Sequence, residues 1–399
     1  MGGAKLLYGA TDLGASQFSS DILWRTGFRV PDPVFLVEIN KVRTLFVSAL
    51  EFGRARHEAS ADYVVSNHHG IQDVLRFLKK NGVGEVVLPR DFPYGLAKTI
   101  GEELRIVVKD PPFYPERLRK TRWEIGEIRA AQEAACAALK KAMEFLQSSR
   151  IRGRHIYDGK RAVTSQALRR IIDDLLYADG YLGINTIVSS GRQSADPHAV
   201  GSGLLIARSP IVIDIFPVSL RTHYYGDMTR TVFKSEPSKE YGRMYEAVRH
   251  AQERAIARIK AGVDASRLYR DTLKFFESHG YPTRLSAGSP EGFTPTPIAR
   301  KRSRARSRAR DSVRGFIHGL GHGVGIDIHE PPSLGAKSCK LEAGNVVTVE
   351  PGLYYGYTRC TGRGMVPAGG IRIEDTVVVQ KMSCQNLINF PKDLASVIL

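Results

Sequence analysis

Hydrophobic and polar positions follow two patterns along this chain, and the change between them falls near Arg117. Before it, short apolar runs are separated by amphipathic stretches. Val34 to Ile39 and Thr44 to Ser48 are apolar runs around Asn40 and Lys41, which predicts a β-hairpin. Gly70 to Lys80 has the spacing of an amphipathic helix, and after Asn81 and Gly82 the run Glu85 to Pro89 reads as a strand. Residues 1–117 are therefore expected to form a small α/β domain. Beyond the proline-rich stretch Asp110 to Glu116, the residues Ile125, Ile128, Ala131, Ala135, Ala138, Ala142 and Leu146 recur at spacings of three and four. They form the buried stripe of a long helix that opens a second domain, residues 118–399. Helical patterns at Ser165 to Ala178, Tyr241 to Ala261 and Ala265 to His279 then alternate with β-rich segments at Pro210 to Phe216, Thr229 to Lys234, Asn345 to Tyr355 and Gly370 to Val379.

Those β-rich segments carry the chemistry. Asp214 sits inside the apolar run Ile211 to Phe216, where an ionised carboxylate is costly unless it is paired or coordinated. Asp227 directly precedes a second strand, so a hairpin connection would return it beside Asp214. The glycine-rich stretch from His318 to Pro332 supplies His318, His322 and His329, while Glu350 and Glu374 occupy apolar strand positions. If these acids converge, two like charges about 4 Å apart cost about 4 kcal/mol at an effective dielectric of about 20. Bound cations remove that conflict. Four carboxylates with one neutral imidazole suit a pair of hard or borderline divalent ions such as Mn²⁺, Co²⁺ or Zn²⁺, and paired ions of this kind serve hydrolysis.

Other catalytic patterns fit less well. His318-Gly-Leu-Gly-His322 lacks the glutamate of a helical zinc-protease motif, and its glycines oppose a helix; neither a phosphate-binding glycine loop nor a serine nucleophile elbow occurs. Cys136, Cys339, Cys360 and Cys384 are widely spaced and read as isolated structural thiols. The formal net charge of +17 suggests nucleic acid, but seven of those charges belong to the tract from Arg300 to Arg310, which contains no acid. That tract, within a loop at about 299–313, is expected to be a solvated insertion; without interleaved aromatics or a known module it argues weakly for a nucleic-acid partner. No apolar stretch reaches membrane-spanning length, and the opening residues lack the order of a signal peptide, so the expectation is a cytoplasmic protein.

The motifs Ile213 to Pro217, Gly226 to Val232, His318 to Pro332, Val349 to Tyr355 and Gly369 to Val377 resemble, in this order, those of the creatinase, prolidase and methionine aminopeptidase family with its pita-bread fold. Ser20 to Phe28 is similar to the N-terminal domain of the Xaa-Pro branch. The resemblance implies an α/β creatinase-like N-terminal domain and an α+β pita-bread catalytic domain. It implies an Xaa-Pro aminopeptidase or Xaa-Pro dipeptidase acting on peptides with proline in second position. It also implies two divalent ions, Mn²⁺ first, and a homodimer.

Transferred position by position, the resemblance makes Asp214 a ligand of one metal, His322 and Glu350 ligands of the other, and Asp227 and Glu374 bridges. Glu350 becomes the general acid/base, His329 a partner of the oxyanion or substrate, and His198 and His318 pocket residues. Arg372 is a substrate-site residue that separates the Xaa-Pro branch from methionine aminopeptidases. Asp214 and Asp227 stand two residues farther apart than the family's usual spacing. The extra length is assigned to Ser219 to Tyr225, expected to bulge outward. Two other readings share the resemblance, a non-catalytic binding module and a metal-free hydrolase similar to creatinase, but relatives of both kinds lack part of the ligand set present here.

Overall fold

The computed structural model describes residues 3–283, 314–356, 359–361 and 364–399, without the side chains of 357–366. The basic tract and the loop at 299–313 lie outside the described residues, as does the side chain of Cys360. The chain divides into two compact units, Met1–Arg117 and Leu118–Leu399.

In the first unit, β1 (Ala4–Gly9), α1 (Ser20–Thr26), β2 (Val34–Ile39), β3 (Val42–Val47), α2 (Phe52–Glu58), β4 (Tyr63–Ser66), α3 (Ile71–Lys80), β5 (Glu85–Pro89), α4 (Tyr94–Gly101) and β6 (Arg105–Lys109) build a six-stranded sheet of order β4-β3-β2-β1-β5-β6. The β2–β3 hairpin turns on Asn40 and Lys41, both at positive φ, as a tight turn matched to strand twist requires. Successive residues of β1 enter different cores. Leu6 packs with Phe35, Val37 and Phe46, whereas Leu7 packs with Leu36, Leu45 and Val47. Both faces are covered, which is why these strands read as continuous apolar runs.

The second unit opens with α5 (Arg122–Ser148), capped by Thr121, whose hydroxyl accepts from Glu124 N while Glu124 Oε2 accepts from Thr121 N. The expected stripe is its buried face, except that Ile125 is only half-buried. There follow β7 (Arg150–Arg152), β8 (His155–Asp158), β9 (Arg161–Ala162), α6 (Ser165–Ala178), β10 (Tyr181–Gly183), β11 (Ile187–Ser190), β12 (Ile211–Ile215), β13 (Pro217–Ser219), β14 (Met228–Val232), α7 (Lys239–Ile256) and α8 (Ala265–Ser278). The rest comprises β15 (Arg314–Gly315), β16 (Val346–Val349), β17 (Gly352–Tyr355), β18 (Arg359–Thr361), β19 (Gly364–Val366), β20 (Gly369–Arg372), β21 (Asp375–Val379) and β22 (Cys384–Asn386). Strands β11-β12-β14, β15-β17-β20 and β16-β21-β22 form three short antiparallel sheets, and one apolar core joins them to α5–α8.

Three expectations need correction. Glu350 and Glu374 do not occupy strand positions: the β-rich segments Asn345 to Tyr355 and Gly370 to Val379 break there, at Glu350–Pro351 and at Ile373–Glu374, and each passes from one sheet to the other. Proline has no N–H for a ladder, and both breaks hold a glutamate. The connection from Asp214 to Asp227 is not a plain hairpin, because β13 leaves to pair with β10. Nor does Ser219 to Tyr225 bulge outward throughout. Arg221 is exposed, but His223 and Tyr224 turn inward, and the Tyr224 hydroxyl donates to Glu124 Oε1 over 2.8 Å. An aromatic ring with a polar tip and a buried partner gains more inside than in water.

Candidate metal centre

Each acid of the site is positioned by backbone that its neighbours hold rigidly. Asp214 lies in β12 opposite Thr229 of β14, the register that sets Asp227 just before the strand begins. Gln132 of α5 then fixes Asp227 from both sides: its Oε1 accepts from Asp227 N at 2.8 Å and its Nε2 donates to Asp227 O at 2.9 Å. Glu374, at the break between β20 and β21, receives the Thr229 hydroxyl on Oε2 at 2.8 Å. Behind it, Arg230 is fully buried and pairs with Asp375 at 2.7 Å. Removing either partner would leave an uncompensated interior charge, so this pair pins the backbone beside Glu374.

The glycine-rich stretch is extended, not helical. Residues 320–324 run along β16: Glu350 N donates to Leu320 O, Thr348 N to His322 O, and Val324 N to Val346 O. Gly321 makes this possible, since a Cβ there would sit 2.0 Å from Thr348 O. The alignment delivers His322 beside Glu350. With its Nδ1 3.1 Å from Gly323 O, the tautomer that protonates Nδ1 leaves the Nε2 lone pair free. Nε2 lies 3.5 Å from Asp227 Oδ2 and 3.4 Å from Glu350 Oε1.

One ligand atom from each of Asp227, His322 and Glu374 lies within 4.8 Å of the others. Burial first, and then the charges of Glu374, Asp214 and Glu350, hold the Asp227 carboxyl well above its ordinary range. Burial and the Glu350 and Asp214 charges do the same for Glu374. Burial pushes Glu350 up to about 7 against the pull of Arg372. Burial also depresses His322 to about 4, so its imidazole is neutral at neutral pH. Asp214 Oδ2 accepts from Arg372 Nη2 at 2.6 Å, while Oδ1 is buried without a hydrogen-bond partner among the described residues. An orphaned carboxylate oxygen, acids that raise one another's pKa and an imidazole lone pair facing them fit hard or borderline divalent cations.

The remaining expected residues surround this cluster. His318 Nε2 is 2.9 Å from the Tyr354 hydroxyl, which accepts from Arg372 Nη1 at 3.1 Å, and burial lowers His318 to about 3. Arg372 also donates to Thr229 Oγ1 and Pro197 O, so its reach into the site runs through Asp214, Thr229 and Tyr354. The exposed His329 stacks edge-on against His322, ring centres 4.3 Å apart. His198 is exposed, and its charge bears on both His318 and His329. Gln132, Thr229 and Tyr354 were not singled out from sequence. Thr229 and Tyr354 lie within the quoted motifs, but nothing local marks Gln132, which belongs to a helix about one hundred residues away.

The geometry agrees with comparisons to known proteins. The chain is 28% identical over 363 residues to the Xaa-Pro dipeptidase of Pyrococcus furiosus, a span covering 88% of this chain and 86% of that enzyme. Its fold matches the structure of an Xaa-Pro dipeptidase from Bacillus anthracis, with a TM-score of 0.76 and 24% identity over 99% of this chain and 95% of that one. It also matches an X-Pro aminopeptidase from Thermotoga maritima, with a TM-score of 0.74 and 23% identity over 98% and 96% of the two chains. Metallopeptidase family M24 matches residues 126–381, a span that includes all five ligand candidates. The chain belongs to metallopeptidase family M24.

Proposed function

We propose that this metallopeptidase removes the N-terminal residue from peptides with proline in second position, using two divalent cations held by Asp214, Asp227, His322, Glu350 and Glu374. The observation that carries the reading is the buried convergence of Asp227, His322 and Glu374, with Glu350 3.4 Å from His322, on a chain similar along most of its length to an Xaa-Pro dipeptidase. When bound, the cations supply Lewis acidity toward the scissile carbonyl and the attacking water.

The chain's own groups do the rest. Glu350 takes the proton of the attacking water and returns it to the prolyl nitrogen as that bond breaks, an exchange that suits a carboxyl held near neutral by burial. His329 donates to the carbonyl oxygen as charge develops on it. His318, kept neutral by burial and oriented by Tyr354, and His198 flank the proline ring. Arg372 acts as a positioning residue that orients Asp214 and, through Thr229, Glu374.

Residues 1–117 are assigned as the creatinase-like N-terminal domain and 118–399 as the catalytic domain. Mn²⁺ is the first candidate ion, with Co²⁺ and Zn²⁺ behind it. A cytoplasmic homodimer completes the proposal; among the described residues no helix is long and apolar enough to cross a membrane. The non-catalytic and creatinase-like alternatives gain no support, since every ligand position is filled. The test is Glu350→Gln assayed beside the parent. The variant is expected to fold and to lose about 10²–10⁴-fold in turnover; full activity would remove the assignment.

A further inference from the structure

Away from the metal centre, the turn that follows α7, the start of α8 and the approach to β16 enclose a cavity of about 650 Å³. That volume is in the range of small-molecule sites. Its walls offer the half-buried Val263 and the exposed Met382, while Ile259 and Leu268 lie buried beneath them. Its rim carries Lys260, Arg267 and Lys340, all exposed. Among the described residues these three make no ion pair and no side-chain hydrogen bond, whereas the fourth cation of the rim, Arg258, is committed to Asp271 at 2.6 Å. The wall contains one acid, Asp264, and its carboxylate is in use. Oδ1 accepts from Ser266 N and Oγ, and Oδ2 accepts from Ser338 Oγ, which ties the cap of α8 to the 338–340 segment.

From this arrangement we infer that the cavity is a binding site for an organic polyphosphate, its phosphates held by Lys260, Arg267 and Lys340 and its apolar body lying against Val263 and Met382. Three uncommitted cations around one opening raise the local concentration of a multiply charged anion. Arg267 adds the planar fork that engages two phosphate oxygens at once. A simple ion would use only the rim cations, whereas a nucleotide-like ligand would also cover Val263 and Met382.

The strands β16 and β21 connect this region to the catalytic acids. Lys340 precedes β16, which ends beside Glu350, and Met382 of the lining follows β21, which begins beside Glu374. Four or five residues of strand place the cavity on the order of 15 Å from those acids, too far for its ligand to touch them. Variants of the rim should therefore leave basal peptidase activity unchanged.

The test is calorimetric titration of the full-length, metal-loaded protein with adenosine triphosphate and, separately, inorganic tripolyphosphate, at fixed ionic strength. Arg267→Gln/Lys340→Gln and Lys260→Gln serve as variants. Saturable adenosine triphosphate binding weakened at least tenfold in the double variant, with activity retained and tripolyphosphate weaker than the nucleotide, is expected. Equal affinity for the two ligands would overturn the role of Val263 and Met382. No binding, or binding the variants leave unchanged, would overturn the site and assign any attraction to cations elsewhere, such as the tract from Arg300 to Arg310.

Discussion

Arg372 Nη2 donates to Asp214 Oδ2 over 2.6 Å, with only 4% and 12% of the two side chains exposed. Among the described residues the other Asp214 oxygen has no hydrogen-bond partner. The guanidinium thus neutralises one side of the carboxylate and leaves the other unsatisfied. In Arg372→Met, the buried acid loses its counter-charge, and breaking such a pair costs about 3–5 kcal/mol. Thermal unfolding in chelator should show that loss. Saturating Mn²⁺ should recover part of it, because a cation bound to Asp214 substitutes for the missing charge. A stability deficit the same with and without metal would contradict this role.

The pH dependence has a definite sign. Glu350 is raised to about 7, and Asp227 and Glu374 are raised as well. A carboxyl raised on folding contributes stability that is complete below its unfolded value and is lost as pH climbs through the folded one. His318 and His322, lowered to about 3 and about 4, work oppositely: they favour the folded chain above the ordinary histidine value of 6.5 and lose that contribution as pH falls. Above pH 6.5 the histidine contribution is constant, so these groups make the metal-free protein less stable toward pH 8. Metal binding needs the carboxylates ionised, so affinity rises over the same window. The Mn²⁺-induced rise in Tm should be larger at pH 8 than at pH 6; equal shifts would count against the carboxylate cluster as the ligand set.

Gly321 and Gly126 make a matched pair. A Cβ at Gly321 meets Thr348 O at 2.0 Å, whereas one at Gly126, in α5, meets nothing within 4 Å. Gly321→Ala must push the His322 segment off β16, at about 1–3 kcal/mol, and should weaken metal binding with it. Gly126→Ala should instead stabilise by about 0.5–1 kcal/mol through helix propensity and leave metal binding alone. Denaturant unfolding and metal titration of both variants check the contrast.

Much of this was legible in the sequence, for identifiable reasons. Asp214 announced itself because a lone acid in an apolar run has no low-cost interior state without a partner. The β2–β3 turn was readable at Asn40 and Lys41, and the α5 stripe because helical spacing is hard to produce by chance over so many residues. The break at Glu374 was not, since hydrophobicity continues across it and only the change of sheet reveals it, whereas the break after Glu350 has its signal in Pro351. Gln132 escaped notice for another reason. On its own helix it is an ordinary polar residue, and its role depends on Asp227, 95 positions away. The inward turn of Tyr224 likewise depends on Glu124, a partner that local pattern does not reveal.

The most direct measurement is hydrolysis of an Xaa-Pro dipeptide and an Xaa-Pro-Yaa tripeptide by chelator-stripped protein, before and after resupply of Mn²⁺. The account predicts no cleavage without metal, restored cleavage of at least one of the two with metal, and none of control peptides lacking proline in second position. Metal bound at the five ligands without cleavage of either peptide would contradict the proposed substrate, and cleavage undiminished by the chelator would contradict the mechanism itself.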